Sequence, residues 1–270
     1  MKILLTGATG NLGQELRRRA DFEIVPIGRD DWANIDAQLS RNIDVVVHAA
    51  SDLRTSVALS PSKLLDSNVL STAHLLEAMR RHRVPRVVFL SSCAVYGEAM
   101  QTDETSRCCP ISINGISKQL NEKIIAEYCE RQGIKYEILR VFNMYGGSDH
   151  FSIFSHAQRS LEAGIPFTLN NRGIAQRDFI HVADVAKVVM RLLKMKVPYT
   201  HINVGTGVAT RIVGLIDLIS VRFPKLTIAL TEKEEAEYSR ANIARLRGLM
   251  ECEFLRVEDY LNSEFMRGKS

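Results

Sequence analysis

Three short stretches carry residue types that could do chemistry. TGATGNLG (6–13) places Gly7, Gly10 and Gly13 three residues apart. Gly7 permits a tight turn, Gly10 lets the backbone approach a bulky anion, and Gly13 lets a following helix pack closely. Between a strand and a helix, such a loop offers free N–H groups and a helix dipole to a pyrophosphate. A bare glycine turn is the plain alternative. The second stretch is Ile27-Gly28-Arg29-Asp30, at the tip of the expected second strand. An acid there binds an adenine ribose 2′-hydroxyl, as in NAD. Arg29 could instead pair with a 2′-phosphate and stack on adenine, which leans the reading toward NADP. The alternative is a solvated Arg29 with Asp30 reaching the ribose. Asn34, Ile35 and Asp36 then flank the adenine ring. The third stretch, SINGISK (112–118), sets Asn114 four residues before Lys118. Asn114-Gly115 reads as a turn running into a helix. An amide donates a hydrogen bond but has no usable proton near neutral pH.

The elements that would position these residues alternate along the chain. KILLT (2–6), FEIVPIG (22–28), DVVVHAA (44–50), RVVFLSS (86–92) and KYEILRVFN (135–143) read as strands. Between them, NLGQELRRRA (11–20), the amphipathic run 61–82 with Pro61 at its start, and 116–133 closed by Gly133 read as helices. The third strand is almost wholly apolar, as expected of a strand buried on both faces. Strand–helix alternation implies right-handed crossovers and an α/β, Rossmann-type, doubly wound parallel sheet. After about residue 145 the rhythm loosens into shorter pieces. That implies a small C-terminal substrate-binding lobe over the carboxyl ends of the strands, where such sheets bind ligands. The expected division is 1–145 with about 175–205 for the dinucleotide-binding domain, and about 146–174 with 206–270 for the lobe.

Composition bounds the rest. The 270 residues are 46% hydrophobic and 24% charged, with a net charge of +4, an ordinary globular balance. The basic runs Arg17-Arg18-Arg19 and Arg80-Arg81-His82-Arg83 fall on polar helix faces or helix ends, so a solvated face rather than a nucleic-acid patch explains them. No signal peptide precedes the first strand, and no apolar stretch is long enough to span a bilayer. The five cysteines (Cys93, Cys108, Cys109, Cys129, Cys252) form no C-x-x-C pair. Disulfides and a zinc site are not expected, and the compartment reads as reducing and cytoplasmic.

Six segments then carry a resemblance: TGATGNLG, HAAS (48–51), LLDSNVLSTAHLLEA (64–78), VVFLSSCAVYG (87–97), RVFNMYG (140–146) and RDFIHVADVA (177–186). In this order they resemble the extended short-chain dehydrogenase/reductase family, and more narrowly its nucleotide-sugar epimerases, dehydratases and keto-reductases. NVGTG (203–207) and NIARLRGLM (242–250) are similar to the family's last sheet strand and closing helix. The chain is short for the family, which implies a trimmed substrate lobe. The resemblance implies an NAD or NADP cofactor, a UDP-, dTDP- or GDP-linked sugar, no metal, no nucleic-acid or membrane partner, and a homodimer. It implies that Asn11, Leu12, Ala49, Ala50, Ser51 and Val141 line the cofactor, and that Asn68 sits near the pyrophosphate unless it is a core amide. It implies that Ser92 hydrogen-bonds the reacting sugar oxygen, that Lys118 binds the nicotinamide ribose, and that Asn143 and Arg177 hold the diphosphate. A planar, always charged guanidinium suits that last task. His48 and His181 read as structural. Asn242 stands where relatives often place an acid that touches the nucleoside.

Two departures stand out. The family sets a tyrosine four residues before the helix lysine, whose charge lowers the phenol's pKa toward neutrality. Here that position is Asn114. Three accounts fit it. Another group donates the proton, from among Tyr96, Tyr145, Cys93, Cys109, His150 or a water held by Asn114 and Ser92. Alternatively the protein binds without hydride chemistry, or the asparagine was introduced to trap a complex. The dehydratases' acidic pair after the Ser92 position is replaced by Cys93 and Ala94, which argues against dehydration by the usual route.

Overall fold

The computed structural model describes residues 1–29, 31–40, 42–52, 60–232, 236–263 and 265. Along the chain the strands are β1 (Lys2–Thr6), β2 (Glu23–Ile27), β3 (Val45–His48), β4 (Arg86–Ser92), β5 (Ala99–Thr102), β6 (Lys135–Val141), β7 (Asn143–Tyr145), β8 (Phe167–Asn170), β9 (Gln176–His181), β10 (His201–Val204), β11 (Ala209–Arg211), β12 (Ile228–Thr231) and β13 (Tyr238–Ala241). β-Branched runs such as Val45-Val46-Val47 fit a strand covered on both faces, and all four residues of β3 are buried.

The central sheet has the order β10-β6-β4-β3-β1-β2. Its pairs β1–β2, β1–β3 and β3–β4 are parallel. Winding runs outward to β2 on one side of β1 and to β3 on the other, so β1 and β3 flank the point where direction reverses. In doubly wound sheets the ligand crevice opens there, beyond the carboxyl ends of the strands. A second sheet has the order β11-β9-β13-β5 with β7 beside β9, and β12 pairs with β8.

The chain forms two compact units. One comprises Met1–Gly97, Arg107–Arg140 and Val189–Ile202; the other comprises Glu98–Ser106, Val141–Val188 and Asn203–Ser270. The expected division had kept 175–205 together; here 189–202 lie in the first unit, and 175–188 and 203–205 in the second. In the first unit, Leu4, Val46, Phe89 and Ile138 of the sheet share a core with Leu75, Met79, Ile125 and Cys129 of two helices. In the second, Tyr145, Phe154, Phe179, Ile216 and Tyr260 form a separate core. No helix among the described residues is long and apolar enough to cross a membrane, and no group of three or more His, Cys, Asp or Glu among them could hold a metal ion.

Three local expectations are corrected. Asn114-Gly115 is not a turn: the helix runs Ile113–Gln132, and Ser112 caps it by accepting from Gly115 N at 3.1 Å. A serine hydroxyl that takes an orphan N–H starts the helix earlier than the Asn-Gly pair suggests. The 61–82 helix is not uniform: Pro61–Leu64 leads into a π-helical segment, Leu65–Leu70, and then Ser71–Arg81. KYEILRVFN is not one strand: β6 ends at Val141, and Asn143 begins β7, which pairs with β9 rather than with the central sheet.

Candidate dinucleotide and proton-transfer sites

In the first unit the glycine loop closes on itself. Gly10 N donates to Gly7 O at 3.0 Å, and the helix Asn11–Arg19 begins at once. Gly7 has φ +70°, and a Cβ there would lie 2.7 Å from Ala50 N; a Cβ on Gly13 would lie 2.1 Å from Gly7 O. No side chain fits at either place, so the loop stays a bare backbone cradle. Leu12 is buried in the helix.

The cradle is one wall of a cavity of about 840 Å³. Of the candidate cofactor residues, Gly7, Gly10, Arg29, Ile35, Ala49, Ala50 and Ser51 line it; Asn11, Leu12, Gly13, Asn34, Asn68, Lys118 and Val141 do not. Ser51 Oγ is buried with no hydrogen-bond partner among the described residues. A buried hydroxyl without a partner costs free energy that a ligand oxygen would recover. The bare cradle and the orphan hydroxyl both fit a dinucleotide.

At the tip of β2, Arg29 keeps 69% of its side chain exposed and faces Asp52 Oδ2 at 3.4 Å. Asp31 Oδ2 accepts from Gly28 N at 2.7 Å; Asp30, the alternative ribose partner, lies outside the described residues. Asp36 accepts from Arg81 and His82, at 2.9 and 3.0 Å, and Arg81, chief among these partners, holds its carboxyl below the usual range. Asp36 and Ile35 line the cavity while Asn34 does not. The 3-10 turn Trp32–Asn34 directly precedes Ile35 and brings Trp32, not Asn34, to the wall.

The proton-transfer candidates gather at the end of β4. Lys118 is buried, donates from Nζ to Leu90 O at 2.7 Å and lies 4.8 Å over the Phe89 ring. Burial pulls its pKa down to about 8, against the upward pull of Glu122. Two residues after Leu90, Ser92 Oγ accepts from Ala94 N at 3.2 Å and caps the turn Cys93–Val95. Asn114 is half-buried, one turn before Lys118 on the same helix face.

Beneath them lies a charged network that the sequence did not announce. Glu122 takes Arg140 in a forked pair, Nη2 to Oε2 at 2.7 Å and Nε to Oε1 at 3.1 Å, and also accepts from Ser91 Oγ. Arg140 Nη1 donates to Tyr96 Oη at 3.0 Å and the guanidinium lies over the Tyr96 ring. Glu122, Arg140, Ser91 and Tyr96 are all buried. Tyr96 is therefore engaged in this network. Cys93 is half-buried and Cys109 exposed.

In the second unit, Asn143 Nδ2 donates to Asp178 O at 2.9 Å and to Ser239 Oγ at 3.2 Å. Arg177 donates to Gln176 O and Ala236 O. Ser239 is the register partner of Arg177, and Asn143 that of Phe179, so Arg177 stands on β9 and Asn143 on β7 beside it. Val141 ends β6 in the same unit. Asn242 Oδ1 accepts from Ala244 N at 3.0 Å, at the start of the helix Ala244–Leu249. Tyr145 is fully buried against Phe154, Phe179, His181 and Tyr260, with Oη donating to Leu255 O at 3.4 Å. That aromatic core surrounds both Tyr145 and His181, and Ala183 N donates to His181 Nδ1 at 3.3 Å.

Asp178 was missed by sequence reasoning. It is wholly buried and accepts from Thr206 Oγ1, Thr206 N, Gly207 N and Ala241 N at 2.6–3.1 Å, while burial raises its pKa against those bonds. RDFIHVADVA and NVGTG contained both sides of this contact, but nothing in either stretch says that they meet.

Comparison with known proteins places these features among relatives. The family model described as "NAD dependent epimerase/dehydratase family" matches residues 3–205. A putative UDP-glucose 4-epimerase of Methanocaldococcus jannaschii is 34% identical over 230 residues, covering 80% of this chain and 72% of the relative. The structure resembles that of an NAD dependent NDP-hexosamine 5,6-dehydratase involved in tunicamycin biosynthesis, with a TM-score of 0.90 at 23% identity, over 100% of this chain and 98% of that one. It also resembles the UDP-glucose 4-epimerase of Thermus thermophilus solved in complex with NAD, with a TM-score of 0.87 at 24% identity, over 100% of both chains.

Proposed function

The chain belongs to the NAD dependent epimerase/dehydratase family, and from that premise we propose that it binds NAD or NADP and a nucleotide sugar, and acts as an epimerase or a 4-keto-sugar reductase. The observation that carries this reading is the bare glycine cradle facing a cavity with an unpartnered Ser51 hydroxyl. The bound nicotinamide would accept or supply a hydride at a sugar carbon, usually C4. The backbone of Gly7–Gly13 would hold the pyrophosphate, and Ala49, Ala50 and Ser51 would line the cofactor. Lys118 holds the nicotinamide ribose and supplies positive charge, and Ser92 donates to the reacting sugar oxygen. Asn143 and Arg177 hold the diphosphate of a UDP-, dTDP- or GDP-sugar. Cys93 and Ala94 supply no acid pair, which argues against dehydration by the family's usual route. The protein works in the cytoplasm as a homodimer. A second reading is a dinucleotide- and nucleotide-sugar-binding regulator with little turnover, and Asn114 favours it. Cofactor absorbance of the purified protein, followed with and without nucleotide sugars, separates the two: a sugar-dependent change marks turnover, and binding without change marks the regulator.

Two substitutions test the binding roles. Arg29→Ala is expected to weaken NADP(H) several-fold more than NAD(H) in a fluorescence titration, because only NADP(H) offers a 2′-phosphate to the guanidinium. Equal losses for both cofactors would remove Arg29 from cofactor choice. Arg177→Ala is expected to weaken UDP, dTDP or GDP by roughly tenfold, since charge-assisted bonds contribute about 1.5–3 kcal/mol, while dinucleotide affinity stays nearly unchanged. Thermal shift with the nucleotide panel reads this; absence of protection by every nucleotide in the unmodified protein would reject the substrate class.

A further inference from the structure

We propose that His48 is the fixed link of one directional hydrogen-bonded chain that holds the Ala49–Asp52 loop rigid against the helix carrying Lys118, and that dinucleotide affinity depends on this chain. The inference rests on the dinucleotide reading above and adds a positioning residue to it.

The geometry starts at adjacent strand ends. Thr6 and His48 are register partners on β1 and β3. Thr6 is the last residue before the glycine loop, and His48 the last before Ala49. Thr6 Oγ1 lies 2.7 Å from His48 Nδ1, and His48 Nε2 lies 2.9 Å from Thr72 Oγ1. Thr72 Oγ1 lies 2.8 Å from Asn68 O. All of these side chains are buried.

The directions follow from proton counting. A carbonyl only accepts, so Thr72 gives its one hydroxyl proton to Asn68 O. Toward His48, Thr72 Oγ1 can then only accept, which places the imidazole hydrogen on Nε2. In a neutral ring Nδ1 is left as an acceptor, and it takes the hydroxyl proton of Thr6. Thr6 Oγ1, with its proton spent, accepts Ala50 N–H at 3.2 Å. At the other end, Asn68 O also receives Asn121 Nδ2 at 2.7 Å, from the helix of Lys118. The Asn68 side chain returns to the loop, with Oδ1 accepting Asp52 N–H at 2.7 Å.

The chain therefore grips the loop on both sides of Ser51, at the N–H of Ala50 and at the N–H of Asp52. Ser51, between those two bonds, lines the cavity, and its buried hydroxyl has no hydrogen-bond partner among the described residues. Neutrality of His48 is enforced from around the ring: burial comes first, then the positive charge of Lys118, together taking its pKa down to about 3. Trp32 and Phe89 supply only aromatic surface, at ring separations of 6.2 and 5.4 Å. A protonated ring would turn Nδ1 into a donor and break the link to Thr6.

The test uses the full chain. ¹⁵N NMR of labelled histidine at pH 7 should show His48 as the neutral Nε2–H tautomer. Thr72→Val keeps the shape and removes the hydroxyl; Thr72→Ser keeps the hydroxyl. Thr72 does not line the cavity. NADH and NADPH fluorescence titrations should show about tenfold weaker binding for Thr72→Val and binding within about twofold of the parent for Thr72→Ser. The His48 signals should shift in the valine variant and return in the serine variant. An Nδ1–H tautomer in the unmodified protein overturns the proposal, and does so without any variant folding. So does a folded Thr72→Val protein with parental affinity, or equal losses in both variants. If the unmodified protein binds no dinucleotide, the functional reading fails, while the tautomer still decides the direction of the chain.

Discussion

Asn114→Tyr is expected to raise single-turnover hydride transfer on a nucleotide sugar by at least tenfold. General acid/base groups typically contribute about 10²–10⁴-fold, or about 3–5 kcal/mol of barrier, which sets the upper range of the gain. The backbone is ready for the change. Position 114 lies in the first turn of a helix whose cap, Ser112, bonds to a main-chain N–H and does not depend on the residue at 114. One turn on, the buried Lys118 ammonium would lower the pKa of a phenol placed beside it. Sugar oxidation needs the phenolate, so its rate in the tyrosine variant should rise with pH toward the phenol pKa, a rise the asparagine protein lacks. Rapid mixing across pH 6–10 with both proteins reads this, and cofactor affinity should barely move. A fast parent protein and a tyrosine variant no better than it would sink the idea. The proton would then come from elsewhere. Tyr96 is engaged by Arg140, and Tyr145 sits in the aromatic core of the second unit, so Cys93, Cys109 and His150 would be replaced first.

Arg140→Met is expected to destabilise the protein by about 3–5 kcal/mol, because it leaves the Glu122 carboxylate buried without its partner. That is a large share of a total stability of about 5–15 kcal/mol. The forked pair, the Ser91 bond and the Tyr96 contact are all out of water. Replacing both partners, Glu122→Leu with Arg140→Met, should recover much of the loss, since a buried ion pair repays its desolvation only partly. Urea midpoints for the single and double variants measure this. A single variant as stable as the parent would show that Glu122 is not left as a buried, unpaired carboxylate.

The fold was legible where physical pattern is local. Apolar runs between breakers marked β1, β3 and β4, and the glycine spacing marked the cradle, because turn geometry constrains residue type at each position. Gly7, Gly10 and Ala49–Ser51 do line the cavity. The rest depends on partners distant in sequence. Glu122, Arg140 and Asp178 look like surface residues in the string and are buried because their partners arrive from other elements. The break between β6 and β7 is invisible in KYEILRVFN, since Asn143 changes sheets without changing the apolar pattern. His48 was expected to be structural, and it is buried between Thr6 and Thr72; Asn68 ties back the main chain of Asp52, a partner that its own stretch of sequence does not reveal.

The wide turn at Leu65–Leu70 amounts to an insertion made without a loop. Each residue advances an α-helix by about 100°, so one surplus residue changes the phase of everything on its far side. Lys63 meets the cavity wall from before that phase change, and His74, Glu77 and Arg81 meet it from after. Ser71–Arg81 is pinned through Thr72 to His48. Removing one residue from 65–70 would therefore leave Arg81 where it is and swing Pro61–Leu64 round by about 100°, taking Lys63 off the wall. The phase between the two ends of this helix is set by a count of residues, and no exchange of one side chain for another can reproduce that change.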